Sequence, residues 1–514
     1  MSKTIIIIGA GLAGLSAALQ AAENGCNVKL VSSLPSERAQ SVMAEGGINA
    51  ALNTKDENDS PEEHFTDTIK AACGLADPNA VWGMTQAAPE LVHWLLKLGV
   101  KFNMSGYDDV DLRNFGGQKK KRTAFAQSDT GKQIMTAMID AVRRKEASGM
   151  VERFSHHSFL TLRLCGNICC GCVIRDEYSQ ETVELPGDAV IVATGGMHGL
   201  FGNTTGSLSN TGEVTAELFR LGVPLANGEM IQYHPTTVKC GGKRMLISEA
   251  ARGEGGRLFA MKDGKQWYFM EEKYPELGNL MPRDITAREI WKVSHESEVF
   301  LDMTEISEEI ISNKLSGLAD DCMTYLHKDI RKEPVSVLPG IHYFMGGILV
   351  DEQHRTPIQN LCAAGECCAQ YHGANRLGGN SLLGALYGGR VAAKSACEQA
   401  DVVDLSCATQ IDFPPASQIS EIKQLNKVMQ ETMGVVRNEN TLLNGIQTVQ
   451  ALTGNLPLLG MAVLKSALAR KESRGAHWRE DYPKSNDDDY LKTTVARFDG
   501  KQIQISFLPV PERR

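Results

Sequence analysis

The stretch TIIIIGAGLAGLSAALQAAENGCNVKLVS, residues 4–32, decides the fold class. Its four consecutive isoleucines are typical of a strand that is buried on both faces. Gly9, Gly11 and Gly14 then form a Gly-x-Gly-x-x-Gly turn, which opens a helix predicted over 12–23, and VKLVS predicts a second buried strand. Inside a strand–turn–helix–strand unit, this spacing indicates a dinucleotide-binding fold, with the pyrophosphate at the helix N-terminus.

The end of the second predicted strand departs from the common pattern. An acidic residue usually binds the ribose hydroxyls there, whereas this chain has Ser32 and Ser33. Because a hydroxyl can also bond a ribose, we expect both serines to contact the dinucleotide. A simple NAD dehydrogenase is disfavoured, and the sequence contains no second Gly-x-Gly-x-x-Gly unit of this kind. The electrons are therefore expected from a donor outside this chain.

Length and charge restrict the class of protein. A chain of 514 residues is expected to form two to four domains. The formal net charge is -9, and the compact basic run is limited to residues 119–121, so nucleic-acid binding is not expected. The N-terminus predicts no signal peptide, and no apolar run reaches membrane-spanning length. We therefore predict a cytoplasmic protein, which could be peripheral on the cytoplasmic membrane face only through partner subunits.

The cysteines indicate neither a secreted framework nor a metal site. The chain has 13 of them without a disulfide-scaffold spacing, which favours reduced thiols. Cys165, Cys169, Cys170 and Cys172 are close enough in sequence to suggest an iron–sulfur cluster. However, the segment reads as two strands around a Gly-Asn turn, and adjacent residues of a strand point to opposite faces. No metal site is predicted.

Hydrophobic patterns divide the chain into a split domain, an insertion and a C-terminal region. DAVIVATGG at 188–196 and NLCAAGECC at 360–368 predict buried strands that end in glycine turns, where a doubly wound sheet meets a dinucleotide. The region between them has a mixed hydrophobic pattern and is rich in Arg and Glu. The predicted parts are a dinucleotide-binding domain over 1–228 and 345–414, an inserted domain over 229–344, and a helical domain over 415–514.

The stretch HGANRLGGNSLLGALYGGR, residues 372–390, combines glycines with polar side chains. Glycines let a backbone lie close to a flat ligand, and we expect Gly373, Gly378 and Gly379 to do so. Arg376 is a fork-shaped donor suited to a carboxylate or phosphate. A helix predicted from Asn380 would present its positive dipole end to the same ligand.

The chain resembles the flavoprotein subunits of succinate dehydrogenase and fumarate reductase, a family whose relatives include L-aspartate oxidase, in a set of motifs that follow one another in the family's order. The resemblance covers nearly the whole chain and is carried by SVMAEGGINAAL, DSPEEHFTDTIK, FGGQ, IQYHPT, SEAARGEGG, MPRD, HYFMGGI, GE at 365–366, HGANRLGGNSLL and ESRGAHWREDYP. It implies an α/β fold in which a Rossmann-like FAD-binding domain has an inserted α+β capping domain and a C-terminal helical domain. It also implies a dicarboxylate substrate, fumarate or succinate, and an iron–sulfur electron-transfer subunit as partner.

The resemblance also implies roles for individual residues. His234, Ser248, His342 and Arg376 fall where the family binds substrate carboxylates, and Ser248 keeps the hydroxyl of the more usual Thr. Arg283 falls at the position of the proton donor, and Glu249 and Arg252 fall at a relay that reloads it from solvent. Together with the fingerprint, the resemblance gives these expected FAD contacts: Gly9, Gly11, Leu12, Ala13, Gly14, Ser32, Ser33, Ser41, Glu45, Gly46, Gly47, Ala193, Thr194, Gly195, Glu366, Arg376, Gly379, Ser381 and Leu382.

Purely structural interpretations of these residues remain open at this point. Arg283 could form an ion pair with Asp284, Glu249 could form one with Arg252, and Arg376 could support its loop. Three functions also compete with fumarate–succinate interconversion. They are L-aspartate oxidase, a reductase of another activated alkene carboxylate, and an electron-transfer component without a substrate. FGGQ and DSPEEHF favour the reductase and dehydrogenase branch.

One position departs from the respiratory members of the family. Their motif R-S-H-T-V-A-A-E-G-G carries a His that is covalently linked to the flavin, and this chain has Gln40 at that place. In the family the covalent bond raises the flavin potential. Its absence disfavours oxidation of succinate and favours either reduction of an activated alkene or oxidase chemistry.

We therefore predict that FAD is bound non-covalently, because a glutamine amide cannot form the link that the histidine ring forms. The purified holoprotein is precipitated with acid and the pellet is separated. All flavin absorbance is expected in the supernatant. A fluorescent protein band on a denaturing gel would contradict this prediction, and apoprotein mixed with free FAD serves as the control.

Overall fold

The structure, a computed structural model, describes residues 2–106, 109–241, 243–399, 413 and 418–514. In the first part of the chain the strands are β1 Thr4–Ile8, β2 Asn27–Ser32, β3 Ile48–Asn49, β4 Leu112–Arg113, β5 Thr123–Ala124, β6 Val151–Ser155, β7 His157–Cys165, β8 Ile168–Asp176, β9 Thr182–Pro186, β10 Ala189–Val192 and β11 Leu225–Ala226. The helices there are α1 Leu12–Glu23, α2 Pro61–Ala71, α3 Pro78–Leu98, α4 Thr130–Ala147 and α5 Glu213–Arg220.

The region of the predicted insertion adds strands β12 Ile231–Cys240, β13 Lys243–Leu246, β14 Arg257–Lys262, β15 Lys265–Trp267, β16 Val299–Asp302, β17 Val335–Ser336 and β18 Leu338–Phe344. Its helices are α6 Glu249–Gly253, α7 Phe269–Lys273, α8 Arg283–Val293, α9 Glu308–Lys314 and α10 Ser316–Asp321. The rest of the chain contains β19 Gly347–Leu349, β20 Leu361–Ala363, β21 Cys368–Ala369, α11 Asn380–Gln399, α12 Ile419–Thr432, α13 Glu439–Val449, α14 Asn455–Ala469, α15 Asp487–Tyr490, β22 Lys492–Phe498 and β23 Ile503–Pro509.

A parallel sheet in the order β20-β10-β1-β2-β6 forms the centre of the dinucleotide-binding part. β1 pairs with β10 on one side and with β2 on the other, in the parallel sense. Ile5 and Ile7 enter the hydrophobic cluster on one face of the sheet, and Ile6 and Ile8 enter the cluster on the other. This two-sided burial is what the isoleucine run predicts, and the predicted helix and second strand are also confirmed.

The insertion contributes two further sheets. β13-β12-β18 pairs antiparallel, and β15-β14-β16-β17 encloses a separate hydrophobic cluster that includes Leu258, Ile290 and Leu301. These strands come from both ends of the insertion, since β12 pairs with β18 across about a hundred residues of sequence. The predicted domain boundaries at 228/229 and 344/345 remain predictions, and the one at 414/415 lies outside the described residues.

The C-terminal region contains a hairpin that the helical pattern did not indicate. After α12–α14, strand β22 pairs with β23 and with β11, so that Leu225 faces Ala496. The strands were missed because β23 is half exposed and its sequence is mixed in polarity. Pairing with β11, far away in sequence, stabilises a hairpin whose own apolar pattern is weak.

Two expectations about ions and membranes can be compared with the described residues. β7 and β8 form the predicted hairpin around Gly166, and Cys169, Cys170 and Cys172 are buried in it. Across residues 2–106, 109–241, 243–399, 413 and 418–514, no group of three His, Cys, Asp or Glu side chains could hold a metal ion. Within the same part of the chain, no helix combines the length and apolar character that crossing a bilayer requires.

Candidate active site

One continuous cavity of about 1050 Å³ runs from the glycine turn after β1 to a cluster of polar side chains from the insertion. Of the expected FAD contacts, those that line it are Gly9, Gly11, Leu12, Ala13, Ser32, Ser33, Ser41, Glu45, Gly46, Gly47, Ala193, Thr194, Gly195, Glu366, Arg376, Gly379, Ser381 and Leu382. His234, Ser248, Glu249, Arg283 and His342 line the same cavity. The fold therefore joins a cofactor-sized space and the candidate catalytic side chains in one enclosure.

Four of the expected residues do not line the cavity, namely Gly14, Arg252, Gly373 and Gly378. A Cβ atom on Gly14 would lie 1.8 Å from the carbonyl oxygen of Gly9, so Gly14 allows α1 to pack on the turn. Gly9 has φ +111, and a Cβ there would lie 2.2 Å from the carbonyl oxygen of Ala193. Arg252 lies behind Glu249 and away from the cavity wall. The expectation for Gly373 was wrong, because a Cβ there would lie 2.6 Å from the carbonyl oxygen of Ala72. Gly378 does not line the cavity either, although its neighbour Gly379 does.

The cavity has polar atoms that a dinucleotide would satisfy. Ser32 Oγ and Glu45 Oε2 are buried without a hydrogen-bond partner among the described residues. Ser32 ends β2, where a ribose is expected, while the N-terminus of α1 opens onto the cavity at Gly11 and Leu12. Buried polar groups are normally paired. The residues present therefore fit FAD in type and in order along the cavity.

Arg283 lies at the other end of the cavity and is the first residue of α8. Its Nε and Nη2 atoms donate to Glu249 Oε2 at 2.8 and 2.6 Å, and its Nη1 atom donates to Gln232 Oε1 at 3.1 Å. Only 6% of Arg283 is exposed. The ion pair with Asp284 that the sequence left open is not formed, and Asp284 instead accepts from Asn375 Nδ2 at 2.9 Å.

Glu249 is bound from a second side. Arg252 Nη2 donates to Glu249 Oε1 at 3.3 Å, and the backbone N–H of Gly116 donates to the same oxygen at 3.2 Å. Burial by itself opposes ionisation of this carboxyl, but Arg283 and Arg252 outweigh it and hold the pKa of Glu249 below its ordinary value. Glu249 is therefore an ionised carboxylate between two guanidiniums, in contact with the cavity.

Arg376 differs from Arg283 in having no carboxylate within ion-pair distance among the residues that the structure describes. Its guanidinium lies 4.3 Å from the centre of the Tyr343 ring, and its Nε atom is buried without a hydrogen-bond partner among the described residues. Burial, followed by repulsion from Arg283, lowers the pKa of Arg376 to about 9, so the group is still a cation at neutral pH. A buried, uncompensated cation that lines a cavity is suited to bind an anion.

Two histidine rings complete this end of the cavity. The rings of His234 and His342 meet edge to face, with centroids 5.1 Å apart. Burial and then the charge of Arg283 hold the pKa of both well below 6.5, so both are neutral hydrogen-bonding groups at pH 7. Ser248 is the N-cap of α6 and places its hydroxyl on the same cavity wall. The sequence-predicted set is thus brought together from β12, β18, α6, α8 and the loop before α11.

Four hydrogen bonds of the site were not foreseen. Gln232 bonds Arg283 and also donates to the carbonyl oxygen of Arg376 at 2.8 Å, which links the two arginines. Thr205 Oγ1 shares a hydrogen bond of 2.8 Å with His342 Nδ1. Gln40 lines the cavity, and its Oε1 atom accepts from the Ser207 N–H at 2.5 Å. Gln232 lies inside the motif IQYHPT, which is the one signal that could have found it.

Glu45 gives the cavity a pH-dependent group. Burial, followed by the charge of Asp321, raises its pKa from 4.5 to about 8, and Arg113 opposes this shift. Between pH 4.5 and 8 the folded protein therefore binds a proton at Glu45 more tightly than the unfolded chain does. The stabilisation is fully present below pH 4.5 and is lost as the pH rises through 8.

We predict that the Glu45→Gln variant does not show this loss of stability with rising pH, because a glutamine side chain cannot ionise. For the apoprotein, the free energy of unfolding of the wild type should fall relative to the variant by up to about 1.4 kcal/mol per pH unit across that range. The measurement is the difference in melting temperature between the two proteins from pH 5 to 8. Glu90→Gln, on the exposed face of α3, is the matched control. If the difference in melting temperature between the wild type and Glu45→Gln did not change with pH, the raised pKa assigned to Glu45 would be wrong.

Comparisons with known proteins were made on the sequence and on the fold. The family described as FAD binding domain matches residues 4–382, and the family described as fumarate reductase flavoprotein C-term matches residues 452–513. The succinate dehydrogenase flavoprotein subunit of Bacillus subtilis is 39% identical, over 96% of this chain and 94% of its own. The 8-methylmenaquinol:fumarate reductase flavoprotein subunit of Wolinella succinogenes is 31% identical, over 100% of this chain and 92% of its own.

A solved structure of a quinol fumarate reductase flavoprotein from E. coli, in a variant form, superposes with a TM-score of 0.90. It is 27% identical, and the match covers 99% of this chain and 97% of that one. The matched fold includes the parallel sheet, the insertion and the C-terminal region. The chain belongs to the family of succinate dehydrogenase and fumarate reductase flavoprotein subunits, and it is an FAD-dependent oxidoreductase.

Proposed function

We propose that this protein is the catalytic subunit that interconverts fumarate and succinate and that it favours fumarate reduction. The observation that carries the proposal is the pair of buried guanidiniums at one end of the cavity. Arg283 is paired with Glu249, whereas Arg376 has no carboxylate partner among the described residues. A small dicarboxylate would supply the missing negative charge for Arg376 while its second carboxylate meets His234, His342 and Ser248.

Bound FAD, when reduced, supplies a hydride equivalent to one carbon of an activated alkene. The residues of the chain then have two tasks, which are to polarise the alkene and to deliver a proton to its other carbon. Arg376, the neutral histidines and Ser248 hold the carboxylates, so that negative charge developing beside one of them is stabilised. Arg283 is the proton donor, acting in a buried site where proton delivery accompanies hydride arrival.

The contacts of Glu249 support a relay that restores the proton of Arg283. Arg283 is the strongest of the contacts that keep Glu249 ionised, and burial opposes them. When Arg283 has given up its proton, that stabilisation is lost and the proton affinity of Glu249 rises. Glu249 then takes a proton from the Arg252 side and returns it to Arg283 along the 2.6–2.8 Å contacts. The ion pair re-forms and the cycle closes with no net change in the chain.

The same charges argue against L-aspartate oxidase. An amino acid substrate brings an ammonium group, which is stabilised best by a free carboxylate beside the two arginines that hold the substrate. Glu249, the carboxylate in contact with Arg283, is already bound by two guanidiniums and a backbone N–H. Arg376 and Arg283 would also repel an ammonium. A substrate with two carboxylates and no amine fits these charges better.

We expect fumarate to reoxidise the anaerobically reduced enzyme rapidly, and aspartate to give little peroxide in air. Arg283→Lys should lower the rate of reoxidation by at least about 100-fold with little change in fumarate KM, because its contribution is made in the transition state. Arg288→Lys, on the same helix but outside the cavity, is the matched control. Faster turnover with aspartate would overturn the function, and a raised KM at normal kcat would reassign Arg283 to binding.

The electron donor is proposed to be an iron–sulfur subunit. Support comes from the sequence, which has one dinucleotide fingerprint, and from the Wolinella relative, whose name specifies a methylmenaquinol donor. Anaerobic purification at low salt from the native source is expected to yield a complex that contains iron. Protein that migrates alone, lacks iron and reduces fumarate with NADH at full rate would contradict this.

A further inference from the structure

Asn49 and Gln118, the last residue of the motif FGGQ, have no part in the mechanism above, yet both are buried against the glycines of the HGANRLGGN stretch. Gly378 O accepts two hydrogen bonds, from Asn49 Nδ2 at 2.7 Å and from Gln118 Nε2 at 2.9 Å. Asn49 is 0% exposed and Gln118 is 4% exposed. Two side-chain amides therefore hold one backbone carbonyl oxygen in the interior.

We propose that Asn49 and Gln118 are positioning residues that fix the Gly378–Gly379 peptide so that its N–H faces FAD, and that they thereby set the reduction potential of the bound cofactor. In a planar trans peptide the C=O and N–H bonds point in opposite directions. Because Gly378 O is held toward the two amides, the N–H of Gly379 points away from them. Gly379 lines the cavity, and the described residues supply no acceptor for this N–H.

A clamp is needed at this place because the peptide joins two glycines. Without side chains, such a peptide can rotate at low steric cost, and Gly379 already has φ +83. Rotation would turn the carbonyl oxygen toward the cavity and remove the donor. The two hydrogen bonds to Gly378 O oppose that rotation, and losing them would leave buried amide groups unpaired.

The amide of Asn49 can take only one orientation. Its Oδ1 accepts from Thr123 Oγ1 at 2.6 Å and from Gln118 Nε2 at 3.2 Å, while its Nδ2 also donates to Asn380 Oδ1 at 2.8 Å. Exchanging the two atoms would turn the amide oxygen toward Gly378 O and Asn380 Oδ1, which are acceptors, and the NH2 group toward the donor Gln118 Nε2. Asn380 Oδ1 is in turn 2.9 Å from His64 Nε2. Burial and then Arg122 lower the pKa of His64 to about 3, so the ring is neutral and donates through Nε2.

The Gly378–Gly379 peptide lies between the part of the cavity that is expected to hold FAD and the polar side chains around Arg283. A Cβ on Gly378 would lie 2.9 Å from Glu249 Oε2, and Ser381 and Leu382, just beyond, line the cavity at the start of α11. Fixed N–H donors stabilise negative charge. FAD gains negative charge on reduction, so a secured donor favours the reduced form. The inference rests on FAD binding in this cavity and does not depend on fumarate as substrate.

The test is the midpoint potential of bound FAD in the holoprotein. Gln118→Met keeps the side-chain volume and removes one donor to Gly378 O. We expect a tenfold loss of preference for reduced over oxidised FAD, which is about 30 mV lower for a two-electron couple. Asn49→Ser should shift the potential in the same direction. Thr68→Val removes the acceptor of Asn380 Nδ2 and the donor to His64 O but leaves both hydrogen bonds to Gly378 O, so it is the control and should leave the potential unchanged.

The proposal would be overturned if both Gln118→Met and Asn49→Ser lowered only the melting temperature and left the midpoint potential unchanged. The hydrogen bonds to Gly378 O would then stabilise the fold without affecting the cofactor. If neither variant folds with FAD, the proposal is tested by measuring backbone hydrogen exchange in the wild-type holoprotein. The segment 377–383 should exchange more slowly in reduced than in oxidised holoprotein, and equal rates would overturn the proposal. None of these measurements uses fumarate. An error in the proposed substrate would therefore not affect the test of the proposed role of Asn49 and Gln118.

Discussion

The carboxylate of Glu249, buried between the guanidiniums of Arg283 and Arg252, is the interaction on which the candidate site depends. Such a group is tolerated in the interior only if its charge and lone pairs are met. Here the third donor is the N–H of Gly116, from the dinucleotide-binding part, whereas the arginines belong to the insertion. The carboxylate therefore connects the two parts of the chain and fixes the position of Arg283. Removing it would leave two buried cations unpaired, a change that costs about 3–5 kcal/mol in other proteins.

A second buried network supports the loop that carries Arg376. In the segment ESRGAHWREDYP, Ala476 N donates to Ala374 O at 2.9 Å, and Arg474 Nη1 donates to Cys73 O at 3.1 Å. Behind it, Arg470 is fully buried and pairs with Glu229 and Glu472. The segment therefore packs the C-terminal region against the loop that carries Arg376. The C-terminal region thus acts on the site through backbone contacts, without lining the cavity.

Some features follow from short stretches of sequence alone. The helix α1, the start of α11 at Asn380 and, to within one residue, the strands β1 and β2 were predicted because each depends on an apolar run, a glycine or a helix signal within one contiguous segment. The residue types of the site, two arginines, two histidines and a hydroxyl, were likewise available from motifs. Their order along the chain indicated the family before any distance was known.

Other features needed the tertiary structure, because they depend on distances between residues far apart in sequence. Only the fold shows that Arg283 pairs with Glu249 instead of the adjacent Asp284, and that no carboxylate in the described part of the chain pairs with Arg376. Gly373 was placed wrongly because its backbone conformation does not reveal which segment packs on it. The β22–β23 hairpin was missed because its partner, β11, lies far back in the chain. The sequence by itself thus determined the fold class and the chemistry of the side chains, while packing decided which charges are paired and which stay free for a ligand.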